Sequence, residues 1–120
     1  METEIPSRGR LLIVDDETAQ VTALCRTLRA EGYSTTGFSL PSEALAALRD
    51  GAFDIVITDL MMPQMDGIGL LRAAREIDPD LVGIVMTGHG TIDTAVEAMK
   101  SGALDYIVKP FNLKAILSVL

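Results

Sequence analysis

The feature of this sequence that most constrains its fold is a regular alternation of short apolar runs with longer amphipathic stretches. The apolar runs are four to six residues long and rich in Val, Ile, Tyr or Phe, which is typical of β-strands. These runs are Leu11–Val14, Tyr33–Phe38, Phe53–Thr58, Leu81–Met86 and Leu104–Val108. The stretches after them carry apolar residues at positions i, i+3, i+4 and i+7, the spacing that gives a helix one apolar face. The pattern therefore predicts five strands, each followed by a helix.

Each predicted helix is defined by a stripe of apolar residues that we expect to face the core. The stripes are Val21, Leu24, Cys25 and Leu28; Pro41, Ala44, Leu45 and Leu48; Leu70, Ala73, Ala74 and Ile77; Ile92, Ala95, Val96 and Met99; Leu113, Ile116, Leu117 and Leu120. Gly32, Gly51 and Gly102 follow three of them, where a glycine favours the left-handed conformation that ends many helices. Pro41 suits a first helical turn, and Thr91 can cap the helix that follows it.

Strand–helix alternation with short connections predicts a parallel sheet, because each helix returns the chain across the sheet before the next strand. Right-handed crossovers then place helices on both faces of that sheet. The continuously apolar strands should be central, where both of their faces are covered, whereas the more polar Tyr33–Phe38 should form an edge. The predicted fold class is therefore α/β.

Length, charge and cysteine content narrow the function classes. A chain of 120 residues is about one domain, and its longest apolar run is far short of the ~18 residues that span a bilayer. One cysteine, Cys25, excludes an internal disulfide framework and a thiolate zinc site, and we expect it in the core. A net charge of −7 disfavours direct binding of nucleic acid. We therefore expect an intracellular globular domain.

The domain boundaries follow from where the pattern starts and stops. Residues 1–8 are expected to form an N-terminal tail and residues 9–120 the domain. The last apolar stripe stops at Leu120 without a capping glycine or terminal basic residues, so we expect the chain to continue into a larger protein.

Chemically active side chains follow four of the predicted strands. Asp15 and Asp16 follow the first, Asp59 the third, Thr87 the fourth and Lys109 the fifth. The carboxyl ends of parallel strands meet at one edge of the sheet, where open α/β sheets bind their ligands. Each residue also has an ordinary structural interpretation, as a turn former, a helix cap or a solvated charge. That interpretation requires all of them to meet at one rim by coincidence, so we favour a functional site.

The three carboxylates would repel one another if they were ionised without a counter-charge. A hard dication resolves this repulsion, and carboxylates with water at an open rim suit Mg²⁺. The metal keeps positions open for a phosphoryl oxygen, and a carboxylate can attack phosphorus to form an acyl phosphate. Lys109 would neutralise the phosphoryl charge, and Thr87 would donate a hydrogen bond to it. These residues thus predict phosphoryl transfer to a carboxylate.

Five motifs, in this order and spacing, resemble the receiver domain of bacterial two-component response regulators. They are Ile13-Val14-Asp15-Asp16-Glu17, Ile57-Thr58-Asp59-Leu60-Met61-Met62-Pro63, Asp66-Gly67, Met86-Thr87-Gly88 and Val108-Lys109-Pro110-Phe111. The resemblance covers about residues 9–120. It implies a flavodoxin-like, doubly wound sheet of five parallel strands in the order 2-1-3-4-5, with five helices.

The resemblance also implies roles for individual residues. Asp59 would be the phosphoacceptor. The Mg²⁺ ligands would be Asp15, Asp16, Asp59 and the backbone carbonyl of Met61. Met61 would also modulate the site.

Further roles concern the phosphorylated state. The resemblance implies that Lys109 pairs with the phosphoryl group, Thr87 is the switch hydroxyl and Tyr106 is the aromatic switch. His89 would modulate the access of water, and the Lys109–Pro110 peptide bond is expected to be cis. Two alternatives stay open at this point: Tyr106 as a half-buried strand aromatic, and His89 as an exposed loop residue.

As a receiver, the protein would be a cytoplasmic signalling switch rather than an enzyme, phosphorylated by a sensor histidine kinase. Rotation of Tyr106 would change the face made by residues 92–99, the last strand and the last helix. Ala98 and Ala103 are small enough to allow close association there, so we expect a homodimer through that face. The segment Thr87–Tyr106 resembles receivers of the nitrogen-regulation type, which favours a transcriptional output domain beyond this chain. A sensor-kinase module is the alternative.

Three competing classes fit less well. Aspartyl-phosphate hydrolases of the haloacid-dehalogenase type use Asp-x-Asp at the nucleophile, whereas Met61 stands two residues after Asp59 here. An FMN-binding flavodoxin needs a phosphate loop after the first strand, where Asp15, Asp16 and Glu17 would repel a phosphate without a metal. A pseudo-receiver would keep the fold without phosphorylation; the complete acceptor set argues against it, and a phosphorylation assay decides.

Overall fold

The computed structural model describes residues 8–88, 90–109 and 113–120. Within them, five strands alternate with five helices, as the sequence predicts. The elements are β1 (Arg10–Val14), α1 (Thr18–Ala30), β2 (Ser34–Phe38), α2 (Pro41–Asp50), β3 (Ile55–Asp59), α3 (Gly67–Ile77), β4 (Val82–Thr87), α4 (Ile92–Lys100), β5 (Ala103–Val108) and α5 (Leu113–Leu117). All neighbouring strands pair in parallel, in the order β2-β1-β3-β4-β5. Both the doubly wound topology and the edge position of the polar strand are confirmed.

Strands β3 and β4 extend one residue further toward the functional rim than their apolar runs predict. Asp59 pairs with Met86 in the ladder, and Thr87 pairs with Val108. Both residues are therefore part of the sheet rather than of the loops after it. Their backbone positions are fixed by the same hydrogen bonds that hold the core strands.

The core lies in two layers, one on each face of the sheet. Leu12 and Val14 of β1 belong to the layer under α2 and α3, whereas Leu11 and Ile13 belong to the layer under α1 and α5. These four side chains are at most 1% exposed, as expected of a central strand covered on both faces. Cys25 is buried in the α1 layer, as predicted.

The prediction that every continuously apolar strand is central is wrong for β5. Among the described strands, β5 is bonded to β4 alone, and Leu104 and Val108 are 57% and 53% exposed. The register shifts beside Gly83, so Leu104 is an extra residue between the two that pair with β4. A bulge of this kind is common at sheet edges, and here it leaves an apolar side chain outside the core.

The predicted core face of α4 is also wrong. Ile92, Val96 and Met99 are 83%, 47% and 45% exposed, and the buried residue of this helix is Ala98. The small side chains of Ala98 and Ala103 let the helix approach β5 closely, so they lie inside the domain and not on an association surface. Five of the large apolar side chains that are exposed belong to α4 and β5, and we call them the α4–β5 patch: Ile92, Val96, Met99, Leu104 and Val108.

Most of the predicted helix ends are confirmed. Gly32 and Gly102 have φ of 97° and 101°, the left-handed region that favours glycine, but Gly51 is extended at −134°. Pro41 begins α2, and Thr91 caps α4 in a reciprocal capping box with Thr94. No helix in the described part of the chain is long and apolar enough to cross a bilayer.

Candidate functional site

Three carboxylates converge where β1 and β3 end. One oxygen from each of Asp15, Asp16 and Asp59 lies within 4.8 Å of the others. Asp15 and Asp59 are buried, at 1% and 8% exposure, whereas Asp16 faces solvent. The two strands are neighbours in the sheet, which is why residues far apart in the chain meet here. The convergence that the strand-end argument predicts is present.

Lys109 brings positive charge into this cluster. Its ammonium donates to Asp15 Oδ2 at 2.9 Å and lies 3.3 Å from Asp59 Oδ1. Its backbone N–H donates to the carbonyl of Thr87 at 2.6 Å, so the end of β4 fixes where the lysine leaves the sheet. The lysine is therefore placed to bridge the first and third strands from the fifth.

Burial and repulsion make Asp59 a poor site for a bare negative charge. Burial raises the pKa of Asp59, and the charges of Asp15 and Asp16 raise it further; Lys109 opposes them without overcoming them. Burial alone would lower the pKa of Lys109, but its hydrogen bond and ion pairs with Asp15 and Asp59 leave that pKa raised. The cluster is short of positive charge, which is the condition a bound dication relieves.

Asp15 also performs the structural role that the alternative interpretation gives it. Its Oδ1 accepts from the backbone N–H of Glu17 at 3.0 Å, a turn that leads the chain into α1. Its Oδ2 accepts from Lys109. The turn and the ion pair use different oxygens of one carboxylate, so the two interpretations of Asp15 are compatible.

Gly67 lets the start of α3 approach the backbone of Asp59 closely, a role that the sequence did not reveal. A Cβ at this position would collide with the carbonyl oxygen of Asp59 and lie 3.0 Å from the Cα of Leu60. The N–H of Gly67 donates to the carbonyl of Leu60 at 2.8 Å. Next to it, Asp66 caps α3 by accepting from Gly69 N–H at 2.7 Å. The Asp66-Gly67 motif thus serves close packing as well as helix initiation.

Thr87 and Tyr106 lie on adjacent strands beside the cluster. Thr87 is fully buried at the end of β4. Tyr106 is half-buried, and its hydroxyl lies 2.6 Å from Thr94 Oγ1 in the first turn of α4. This hydrogen bond links β5 to the start of α4. It does not by itself distinguish an aromatic switch from an ordinary strand tyrosine.

The remaining predicted site features are Met61, His89 and the Lys109–Pro110 peptide bond. Met61 is 59% exposed after β3, and its two roles stay predictions. His89 and the Lys109–Pro110 peptide bond lie outside the described residues. Gln64, in the same loop as Met61, has φ of 74°, which is unfavourable for a residue with a side chain.

One polar residue at the site was missed entirely. Gln20 accepts a hydrogen bond from Lys109 Nζ through its Oε1 at 2.7 Å. No motif marks a glutamine on an exposed helix surface as functional. Its role is visible only in the tertiary structure, which brings Lys109, directly after β5, to α1 although 89 residues separate the two partners.

Comparison with known proteins agrees with this geometry. The sequence profile described as the response regulator receiver domain matches residues 11–120. The transcriptional regulatory protein ZraR of Escherichia coli K12 is 39% identical over 110 residues, which cover 89% of this chain and 25% of ZraR. The chain thus spans about a quarter of that relative's length.

Two solved structures are similar in fold and sequence. A response regulator from Burkholderia pseudomallei, with a phosphorylated aspartic acid, a calcium ion and citrate, has a TM-score of 0.87 and 32% identity over 92% of this chain and 65% of its own. The beryllofluoride-activated NtrC4 receiver domain dimer has a TM-score of 0.86 and 37% identity, covering 92% of both chains. The second match supports a resemblance to the nitrogen-regulation type.

Proposed function

The chain belongs to the receiver domains of response regulators, a family of phosphorylation-dependent switches, and on that premise we propose that Asp59 is its phosphoacceptor. The observation that carries this proposal is the carboxylate cluster around Asp59, with Lys109 Nζ 3.3 Å from its Oδ1. The donor would be a phosphohistidine of a sensor histidine kinase. The related structure with a phosphorylated aspartic acid supports the same chemistry.

The donor set also suits the metal that we propose, Mg²⁺. Carboxylate oxygens are the hard ligands that this ion prefers. A dication would also offset the burial of Asp59 and its repulsion by Asp15 and Asp16, which together raise its pKa. Asp15, Asp16 and Asp59 would hold the ion, together with the carbonyl of Met61. Bound Mg²⁺ would supply positive charge to the carboxylates and to the entering phosphoryl oxygens.

In the transfer step, a carboxylate oxygen of Asp59 forms a bond to phosphorus while the bond between phosphorus and the donor breaks. The bonding electron pair leaves with the donor, an imidazole nitrogen of the kinase or the acetate of acetyl phosphate. Lys109 neutralises charge on the phosphoryl oxygens, and the Thr87 hydroxyl donates a hydrogen bond to one of them. The domain takes part in its own phosphorylation and dephosphorylation without turning over a separate substrate.

Acetyl phosphate with Mg²⁺ tests the acceptor directly. Intact mass spectrometry should show one phosphoryl group added to the parent and none to Asp59→Asn. Asp50→Asn removes an exposed carboxylate at the end of α2 and is the matched control, which should be labelled like the parent. Labelling of Asp59→Asn to the parent level would overturn the assignment.

The metal ligands need a separate test. Asp16→Ala should weaken Mg²⁺ binding in calorimetry and stop phosphotransfer while the circular dichroism spectrum is unchanged, because this exposed carboxylate contributes charge but little packing. Equal Mg²⁺ affinity in Asp16→Ala and the parent would contradict this site.

The α4–β5 patch is the surface we propose for read-out. Five apolar side chains, each more than 40% exposed, form it, and exposed apolar clusters mark association surfaces. When Thr87 moves toward a phosphoryl group, Tyr106 can turn inward, and its hydrogen bond to Thr94 connects that motion to α4. The occupant we propose is a second copy of this chain, as in the related activated receiver dimer.

Sedimentation with and without beryllofluoride and Mg²⁺ tests this read-out. The phosphate analogue should increase self-association, and Thr87→Ala should reduce that increase, since phosphorylation acts by shifting a population. NMR shifts around Tyr106 report the switch itself. If neither self-association nor the NMR shifts change while beryllofluoride is bound at Asp59, coupling through Thr87 and Tyr106 does not operate in this protein.

We infer the output of the full protein from its relatives. ZraR is a transcriptional regulatory protein, and the present chain covers a quarter of its length. We therefore propose that this receiver controls a transcriptional output module attached beyond it, in the cytoplasm, and does not itself contact nucleic acid. A sensor-kinase module is the alternative, and the sequence after Leu120 in the intact protein distinguishes the two.

A further inference from the structure

The Lys109 ammonium has its shortest contact not with a carboxylate but with Gln20. The distances from Nζ are 2.7 Å to Gln20 Oε1, 2.9 Å to Asp15 Oδ2 and 3.3 Å to Asp59 Oδ1. Gln20 lies in the first turn of α1, and its own Nε2 donates to Glu17 Oε1 at 3.2 Å. The amide is thus oriented from both ends, with its oxygen toward the lysine.

These distances show that Lys109 is held on the β1–α1 side of the site. An ammonium has three N–H donors, and the two shorter contacts use two of them on Asp15 and Gln20. The contact with Asp59 is the longest of the three. A phosphoryl group on Asp59 would draw Lys109 toward itself and away from this side, and that movement would stretch one of the two shorter bonds.

The surroundings favour Gln20 as the partner that is released. Asp15 is buried and carries a charge, so its bond to Lys109 is the stronger one. Gln20 is neutral and exposed, and it lies at the rim of a cavity of about 780 Å³ between α1, the central strands and α5. Its side chain can therefore turn away from Lys109 without displacing packed atoms.

Resting on the proposed function, we infer that Gln20 is a positioning residue for Lys109. It stabilises the unphosphorylated arrangement, and loss of its hydrogen bond accompanies the turn of Lys109 toward the phosphoryl group. An interaction made only before the transfer raises the barrier to that transfer. Gln20 therefore slows phosphorylation of Asp59, and its removal accelerates it.

The test uses acetyl phosphate, since a small donor needs no docking surface on α1. Gln20→Met keeps the length of the side chain but removes the acceptor, and it should raise the phosphorylation rate about threefold, the size expected of one hydrogen bond. Gln20→Glu holds the lysine more strongly and should lower the rate by a similar factor. Opposite effects of two substitutions at one position are not expected of a purely structural residue.

Two variants of α1 are matched controls. Ala23→Met places the same side chain at another exposed position lining the cavity, and Ala19→Glu adds the same charge one residue away from Gln20. Neither Ala19 nor Ala23 takes part in the hydrogen bonds and ion pairs described above for Lys109. Ala23→Met should phosphorylate at the parent rate, and Ala19→Glu should slow the reaction less than Gln20→Glu does.

A second readout is independent of phosphorylation. The ¹⁵N shift of the Lys109 ammonium, measured without Mg²⁺ or donor, should change in Gln20→Met and stay at the parent value in Ala23→Met. If the rate of Gln20→Met equals or falls below that of the parent, or matches that of Ala23→Met, the inference is wrong. If the parent itself gains no phosphoryl group on Asp59, the proposed function fails instead, so the two failures are distinguishable.

Discussion

The acidic rim and the α4–β5 patch differ in how the fold supports them. At the rim, Asp15 and Asp59 extend from β1 and β3, strands that are paired on both sides, and both are joined to Lys109 by ion pairs. In the patch, Val108 belongs to an edge strand and Ile92 to a helix whose one buried residue, among those described, is Ala98.

This contrast explains where each task can be performed. Phosphoryl transfer requires charged groups at fixed distances, and strands paired on both sides hold Asp15 and Asp59 at such distances. Recognition requires an accessible apolar surface, which an edge strand and a lightly packed helix provide. We therefore expect substitutions at the rim to change stability and chemistry together, and substitutions in the patch to change association alone.

The largest effect is expected at Gly67. Gly67→Ala should lower the free energy of unfolding by about 2–3 kcal/mol, because the new Cβ has no space against the rigid backbone of Asp59. Urea unfolding measures this. Gly69→Ala, in the same helix, is the control: its Cβ would lie 3.3 Å from the side chains of Asp66 and Met65, which can adjust, so it should be neutral or stabilising. Equal losses in both variants would show that the rim does not depend on this close approach.

Lys109 should have the next largest effect. Without Mg²⁺, Lys109→Met should lower the free energy of unfolding by about 2 kcal/mol, because it leaves buried Asp15 without a counter-charge. Since the folded state raises the pKa of Lys109, the contribution is complete below the ordinary lysine pKa of about 10.4 and is lost above the raised value. Mg²⁺ should reduce the loss of stability in Lys109→Met. Lys114→Met, at an exposed position, should show neither this loss nor its dependence on pH.

A substitution of Asp59 should stabilise the fold, whereas the substitution of Lys109 destabilises it. The pKa of Asp59 is raised in the folded state, so ionised Asp59 destabilises the fold. Without Mg²⁺, Asp59→Asn should therefore raise the free energy of unfolding by about 1 kcal/mol at pH 7. The gain should be complete above the raised pKa and should vanish below the ordinary carboxyl pKa of about 3.9.

Asp54, just before the same strand, provides a control of reversed sign. Its hydrogen bonds with Arg10 lower its pKa, so Asp54→Asn should destabilise at neutral pH, and the effect should disappear as the pH falls through that lowered value. Thermal unfolding across the acid range measures both variants. If both substitutions changed the free energy of unfolding in the same direction, the destabilisation of ionised Asp59 by burial and repulsion would be refuted.

The smallest effect on stability is expected in the patch. Val96→Thr should change the free energy of unfolding by less than about 0.5 kcal/mol, because Val96 is 47% exposed. Val85→Thr, the same substitution at a fully buried position of β4, should cost about 1–3 kcal/mol. In sedimentation with beryllofluoride, the order of the two effects should be the opposite. Val96→Thr should weaken self-association, whereas Val85→Thr, where it is folded, should not. Unchanged association in Val96→Thr would remove Val96 from the proposed interface.

The sequence by itself determined the order of the elements and the place of the chemistry. Apolar runs separated by helical stripes lead to a parallel sheet, and parallel strands bring their carboxyl ends to one rim. Asp15, Asp59 and Lys109 therefore meet although 94 residues separate the first from the last. The prediction succeeded because the periodicity is local and the topology follows from short connections.

Only the tertiary structure decided which apolar faces are covered. A stripe such as Ile92, Val96 and Met99 shows that a helix has an apolar side, but not whether another element packs on it. At α4 the close approach of Ala98 to β5 turned that side outward. The third partner of Lys109 was equally invisible, because the bond to Gln20 depends on how α1 and β5 lie in space. The periodicity of the sequence shows which side of one segment is apolar, whereas burial and hydrogen bonding depend on how two segments are arranged in space.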